Sequence, residues 1–181
     1  MLSGPVLPLT SSRLIPEIRS CRSYNGLIEI CIKQFKYHNR KGMVRVFRDL
    51  AQDYLFQKPI EPRTVDIMIP VPLCAARYRK RRYNQSGLIA WMLSGFLSVP
   101  VRAHNLIKTK NTPAQIGLSR NERINNIQDS FSTVKPSLLA GKSILLVDDV
   151  MTTGTTLDAC AEELLRAGAR KVTGFTLART L

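Results

Sequence analysis

The stretch Ser143-Ile144-Leu145-Leu146-Val147-Asp148-Asp149-Val150-Met151-Thr152-Thr153-Gly154-Thr155-Thr156 decides how this chain folds. The apolar run from Ile144 to Val147 reads as a strand buried on both faces. Two carboxylates follow it, and then a loop of threonines around Gly154. Beyond the loop, Leu157, Cys160, Ala161, Leu164 and Leu165 recur at helical spacing, which predicts an amphipathic helix stopped by Gly168. Acids at the carboxyl end of a buried strand, with a Thr/Gly loop leading into a helix, mark the edge of an open α/β sheet where ligands bind.

The loop offers hydroxyl donors and backbone N–H groups at a helix N-terminus. Unsatisfied amides and the helix dipole both favour an anion there, so a phosphate suits it. Asp148 and Asp149 would repel that phosphate unless they serve another part of the ligand. They can accept hydrogen bonds from ribose hydroxyls and hold Mg²⁺, directly or through water. A sugar phosphate with vicinal hydroxyls satisfies both halves. The plain alternative is a buried strand and a capped helix, with Asp149 or one threonine as the cap. Two acids plus threonines at 152, 153, 155 and 156 exceed what capping requires.

These residues resemble the phosphoribosyl pyrophosphate (PRPP) signature of type I phosphoribosyltransferases: an apolar run, two acids, two apolar residues, then Thr-Thr-Gly-x-Thr. No Gly-Lys-Ser/Thr follows, so this is not a Walker A loop. The resemblance implies an α/β fold with a central parallel sheet of about five strands flanked by helices, preceded here by an N-terminal helical segment.

The chain has 181 residues, enough for one substantial core, and 44% of them are hydrophobic. No apolar run reaches membrane-spanning length. Met1 to Pro5 lacks a basic, then long apolar, leader pattern, so a cytoplasmic location is expected. Cys21, Cys31, Cys74 and Cys160 form no C-x-x-C pair, and only His38 and His104 could assist them, so reduced thiols and no zinc are expected. Net charge is +14. Between Ile67 and Asn121 there is no acid against nine Lys/Arg, a field suited to a polyanion such as PRPP or nucleic acid.

In order, residues 1–20 read as a loose lead-in, 21–63 as a helical segment packed on the core, and 64–181 as the phosphoribosyltransferase-like domain. Helices are predicted over Tyr24–Tyr37, with Leu27, Ile28, Cys31, Ile32 and Phe35 inward, and over Met43–Phe56. Lys33, Lys36, Arg40 and Lys41 form a basic rim that reads as a solvated helix face. Val65–Pro72 is a first buried strand ending in a rigid Pro-Val-Pro turn. The basic run Arg77-Tyr78-Arg79-Lys80-Arg81-Arg82 then precedes a helix from Ser86 to Leu97, on which Trp91 reads as a packing or interface residue. Val99–Leu106 and Ser130–Val134 read as further strands of the parallel sheet. Between them lie a polar lid, Lys108 to Gln115, and a short helix, Leu118 to Ile127. Lys171–Ala178 is the last strand.

Asn84-Gln85, Thr112-x-x-Gln115-x-x-Leu118, Arg123-x-Asn125, Phe131, the Asp-Asp loop and Thr176-Leu177-Ala178-Arg179 together resemble the ComF (competence protein F) family. Tyr24-Asn25-Gly26 through Phe35-Lys36-Tyr37 is similar to that family's Tyr-x-Gly … Lys-Tyr helix. Two departures stand out. The four-cysteine zinc module of many members has no counterpart here, and Arg82 occupies the place usually held by glycine.

The resemblance implies PRPP or another ribose phosphate as ligand, Mg²⁺ as cofactor, and a link to DNA uptake in natural transformation. Asp148 and Asp149 would meet the ribose hydroxyls and the metal, with Val150 and Met151 beside them. Thr152, Thr153, Gly154, Thr155 and Thr156 would surround the 5′-phosphate. Val71, Pro72, Leu73 and Cys74 would form the pyrophosphate loop. Arg81, Arg82, Lys108 and Lys110 would stabilise the leaving group, Lys108 and Lys110 joining the two acids as catalytic candidates. A second function of a different class is a non-catalytic PRPP sensor or single-stranded-DNA-binding accessory of the competence machinery, using Arg77, Arg79, Lys80, Arg81 and Arg82. Competence proteins are then further partners. The acceptor and the oligomeric state stay open, a dimer included.

Overall fold

The computed structural model of the chain describes residues 12–38, 40–109 and 130–180. Its strands are β1 (Ile18–Ser23), β2 (Ile67–Pro70), β3 (Leu106–Lys108), β4 (Phe131–Thr133), β5 (Ser143–Met151) and β6 (Lys171–Arg179). Its helices among the described residues are α1 (Gly26–Tyr37), α2 (Met43–Gln57), α3 (Ala75–Arg81), α4 (Gln85–Leu97) and α5 (Thr155–Arg166). One parallel sheet runs in the order β1-β6-β5-β2.

Alternating residues of β5 feed two cores, as a strand covered on both faces must. Leu145 and Val147 pack with α1, α2 and α4, alongside Phe175 and Leu177 of β6. Ile144 and Leu146 pack with Leu157, Cys160, Ala161 and Leu164 of α5 and with Leu106 and Phe131 of the small β3–β4 pair. The layers place the carboxyl ends of β2 and β5 side by side, with Ile67 opposite Ile144 and Pro70 opposite Val147.

The strand-loop-helix reading of residues 143–168 matches the fold, and other expectations need correction. Residues 18–20 of the supposed loose lead-in belong to β1, and Ile15 and Ile18 are buried. This strand docks closely because Gly174 faces it: a Cβ there would lie 3.0 Å from Ile18 Cγ1. Ser20 Oγ and Thr176 Oγ1, both buried, satisfy one another at 2.7 Å. Val99–Leu106 is not a continuous strand. Val101 makes one parallel bridge to Met68, and a turn at Arg102–Asn105 then redirects the chain into β3. Pro100, which has no N–H, limits the ladder there.

Within 130–134 only Phe131–Thr133 forms a strand, and it runs antiparallel to β3 and outside the main sheet. The basic run from Arg77 is helical as α3, and Leu27, expected inward, is largely exposed at the start of α1. Trp91 likewise faces outward from α4. The expected helix over 118–127, the lid beyond Thr109, and Lys110 with it lie outside the described residues. No helix among the described residues is long and apolar enough to cross a membrane.

Candidate functional site

β5 carries Asp148 and Asp149 at the sheet's carboxyl edge, and the two acids are held differently. Ser86 Oγ, in the first turn of α4, donates to Asp148 Oδ1 at 2.8 Å, and the Asp149 amide donates to the same oxygen at 2.8 Å. Asn84 sets up this turn by capping α4: its Oδ1 accepts the Ser86 N–H at 3.1 Å, while its Nδ2 donates to the Val71 carbonyl at 3.0 Å. Asp149, only 5% exposed, pairs with Lys36 of α1, Nζ to Oδ1 at 2.8 Å.

Burial pushes the Asp148 carboxyl up to about 7, with the adjacent Asp149 charge adding to the rise and Lys36 opposing it. Lys36 moves upward as well. Burial disfavours its ammonium, but the carboxylate of Asp149 and then Asp148 outweigh that cost.

Downstream, the Thr152–Thr156 loop leads from β5 into a helix, as the sequence pattern predicts. Gly154 is left-handed, with φ 78°, and precedes α5 with no side-chain cap. The first-turn amides of α5 thus have no acceptor of their own helix. Thr153 Oγ1 and Thr155 Oγ1 share one hydrogen bond at 2.9 Å, which leaves one hydroxyl proton of the pair for a ligand. Thr152 is exposed, Thr156 half-buried, Val150 half-buried and Met151 buried. Met151 lines the core under α5, so it supports the loop from beneath.

The Val71–Cys74 loop lies against the same edge, for the Val71 amide donates to the Val147 carbonyl at 2.9 Å. Pro72 and Leu73 are half-buried, and Cys74 is a buried residue immediately before α3 whose side chain makes no capping hydrogen bond. Lys108 is half-buried with its Nζ 5.3 Å from the Phe131 ring centre. Its pKa is lowered, first by burial and then by Arg77, while Asp148 pulls the other way. Arg77 therefore belongs to this corner too.

Arg81 donates to Gln85 Oε1 at 3.1 Å and stacks over Tyr37 at 5.3 Å. Arg82 is exposed, and its φ of 62° is the left-handed conformation for which a glycine is suited. Arg79 and Lys80 point to solvent.

Lys36 and Ser86 are site residues that sequence reasoning missed. For Lys36 a signal existed: it stands four residues beyond Ile32 on the buried stripe of α1 and not on its solvated face. Ser86 carried no such signal, since a serine in a helix's first turn reads as capping chemistry.

The donor set suits Mg²⁺. Neither Asp148 Oδ2 nor Asp149 Oδ2 accepts a hydrogen bond from a described residue. No group of three or more potential ligands occurs among the described residues. Two hard carboxylate oxygens completed by water and ligand oxygens is the usual magnesium pattern.

The chain matches the phosphoribosyl transferase domain family over residues 103–180. It is similar to competence protein F of Haemophilus influenzae, 32% identical, over 84% of this chain and 68% of that protein. It is also similar to DNA utilization protein YhgH of Escherichia coli O157:H7, 31% identical, over 87% of this chain and 70% of that protein. Among solved structures it resembles the glutamine PRPP amidotransferase from B. subtilis in fold. The TM-score is 0.53 and the identity 20%, over 81% of this chain and 30% of that one.

Proposed function

Because the chain belongs to the ComF family within the type I phosphoribosyltransferase superfamily, we propose that its cleft binds PRPP with Mg²⁺ and supports phosphoribosyl transfer in a role linked to DNA uptake or use. One observation carries this reading. The N-terminus of α5, opened by left-handed Gly154 with no side-chain cap, lies one short loop from Asp148, whose Oδ2 has no hydrogen-bond donor among the described residues.

Each half of the ligand has its counterpart. The α5 amides and the Thr153–Thr155 hydroxyls bind the 5′-phosphate, where backbone dipole and donors act together. Asp148, fixed by Ser86, turns its second oxygen to a ribose hydroxyl. Mg²⁺, held by the acids directly or through water, would neutralise the diphosphate and orient it. Lys108 and Arg77 supply positive charge where pyrophosphate departs, and a half-buried ammonium acts there more strongly than one in bulk water.

The test is a melting curve. PRPP with Mg²⁺ raises the melting temperature of the wild type, and Gly154→Val removes the rise, since a β-branched residue cannot hold φ near 78°. An unchanged curve at millimolar PRPP overturns the ligand. A panel of nucleobases assayed for pyrophosphate release then decides whether transfer occurs.

A second reading has its own support. Lys41 lies over the Tyr83 ring at 5.4 Å and Arg81 over Tyr37 at 5.3 Å, so the basic segments of the α1–α2 link and of α3 merge into one rim. Tyr37 and Tyr78 on it are 65% and 52% exposed, which suits stacking by single-stranded DNA bases. Binding that weakens steeply with salt, with a slope reduced when Arg79, Arg81 and Arg82 are replaced, would support it. No binding at low salt would eliminate it.

A further inference from the structure

Phe35-Lys36-Tyr37, the last turn of α1, touches the site at three successive residues. The Phe35 carbonyl accepts from the Tyr83 hydroxyl, Lys36 pairs with Asp149, and the Tyr37 ring lies under Arg81. The family match begins at residue 103, so this turn reaches the acid strand from a segment outside the matched domain.

From this geometry, and resting on the PRPP reading above, we infer that Lys36 is a positioning residue of the ligand site. Its ammonium occupies Asp149 Oδ1 and cancels one of two adjacent carboxylate charges, so that PRPP binds with the uptake of one cation fewer.

The argument is electrostatic. Asp148 and Asp149 are consecutive and both withdrawn from water, so an incoming polyanion would meet two negative charges at short range. In such surroundings opposite charges in contact interact far more strongly than in bulk water. Lys36 meets that demand from within the chain. Its side chain is 22% exposed and that of Asp149 is 8% exposed. No other donor to the Asp149 carboxylate exists among the described residues. Asp148 has no such cation in contact among the described residues and keeps Oδ2 for the ligand or its metal. The pair therefore divides: one acid is neutralised internally and the other is presented. An ordinary buried ion pair would do no more than fasten α1 to the sheet, and the two roles differ in how ligand binding depends on magnesium.

The experiment is calorimetric titration of the full chain with PRPP at a series of Mg²⁺ concentrations, for the wild type, Lys36→Met, Lys36→Gln, Lys36→Arg and Tyr83→Phe. Lys36→Met is expected to weaken PRPP binding at low Mg²⁺ by at least about tenfold. It should also steepen the dependence of log affinity on log Mg²⁺ concentration by about one cation. Lys36→Gln, which can still donate to Asp149 but carries no charge, should steepen it equally and covers the case in which Lys36→Met does not fold. Lys36→Arg should restore the wild-type slope. Tyr83→Phe loosens the same turn without altering charge, and should keep the wild-type slope with a lower melting temperature. Uncharged variants that parallel the wild type overturn the role of Lys36 alone, as does Tyr83→Phe matching their steepening. A wild type that binds no PRPP overturns the ligand reading, and this inference with it.

Discussion

Asp148→Asn is expected to stabilise the unliganded protein at neutral pH. The substitution keeps an Oδ1 able to accept from Ser86 Oγ and from the Asp149 amide, so the local bonds survive. What disappears is the charge. Burial and the Asp149 carboxylate push the Asp148 pKa from 3.8 up to about 7, against the pull of Lys36 and the Ser86 hydrogen bond. Lys108 and the Cys160 thiol face the same carboxyl from β3 and α5.

A carboxyl whose folded pKa lies above its unfolded one binds more protons in the folded state. Its contribution is therefore greatest below the unfolded value and is lost as pH rises toward 7. Taken whole, the rise corresponds to about 4 kcal/mol. Because Asp148 is half-buried and shares its charge with Asp149 and Lys36, about 1–2 kcal/mol is the expected effect. For a chain of this length that raises the melting temperature by about 2–8 °C. The assay is urea and thermal unfolding of both proteins from about pH 4 to about pH 8. The two stability curves should converge at the acid end and separate toward neutrality, with the variant on top. Parallel curves, or a variant less stable at pH 7 than at pH 5 relative to wild type, would refute the reasoning, whereas loss of ligand binding by the variant is independent of it.

Two further outcomes follow from backbone and packing. Gly174→Val places side-chain atoms into Ile18, which already stands 3.0 Å from a Cβ position, and should cost about 1–3 kcal/mol in denaturant unfolding; a neutral result would mean that β1 docks less closely on β6. Arg82→Gly removes a side chain from a residue at φ 62° and should stabilise the protein by about 1 kcal/mol, read as a higher urea midpoint; a lower midpoint would show that the arginine side chain outweighs its backbone strain.

The part of the fold that was legible in the sequence is the part specified locally. Ile144–Val147, the acids, Gly154 and the periodic residues of α5 announce strand, turn and helix within 26 residues, Ser143 to Gly168. β1 was not legible, because Arg19, Ser20, Arg22 and Ser23 look like loop and the strand exists only through its pairing with distant β6. The direction of β4 was equally hidden, since a short apolar run does not encode whether its neighbour lies parallel or antiparallel. At the site, the glycine-centred loop and the paired acids could be read from residue type. The ion pair of Asp149 with Lys36 joins two segments more than a hundred residues apart, and only the assembled layers bring them into contact. Lys36 read as one cation among several on a polar rim, although its register with Ile32 placed it on the inner stripe.

The position of β6 between β1 and β5 also sets the order in which the protein can mature. β1 is made more than a hundred residues before its hydrogen-bonding neighbour, the strand from Lys171 to Arg179. Until those residues leave the ribosome, β1 has no sheet to join, and the helices that rest on Phe175 and Leu177 lack their floor. A nascent chain of this topology must therefore hold an unpaired strand in waiting while everything between Ser23 and Lys171 is made. Such long-range pairing makes folding slow and the waiting edge prone to wrong partners. Ribosome stalling a few codons before Arg179 would leave a chain possessing every acid and threonine of the ligand site but lacking the complete strand that joins β1 to the rest of the sheet.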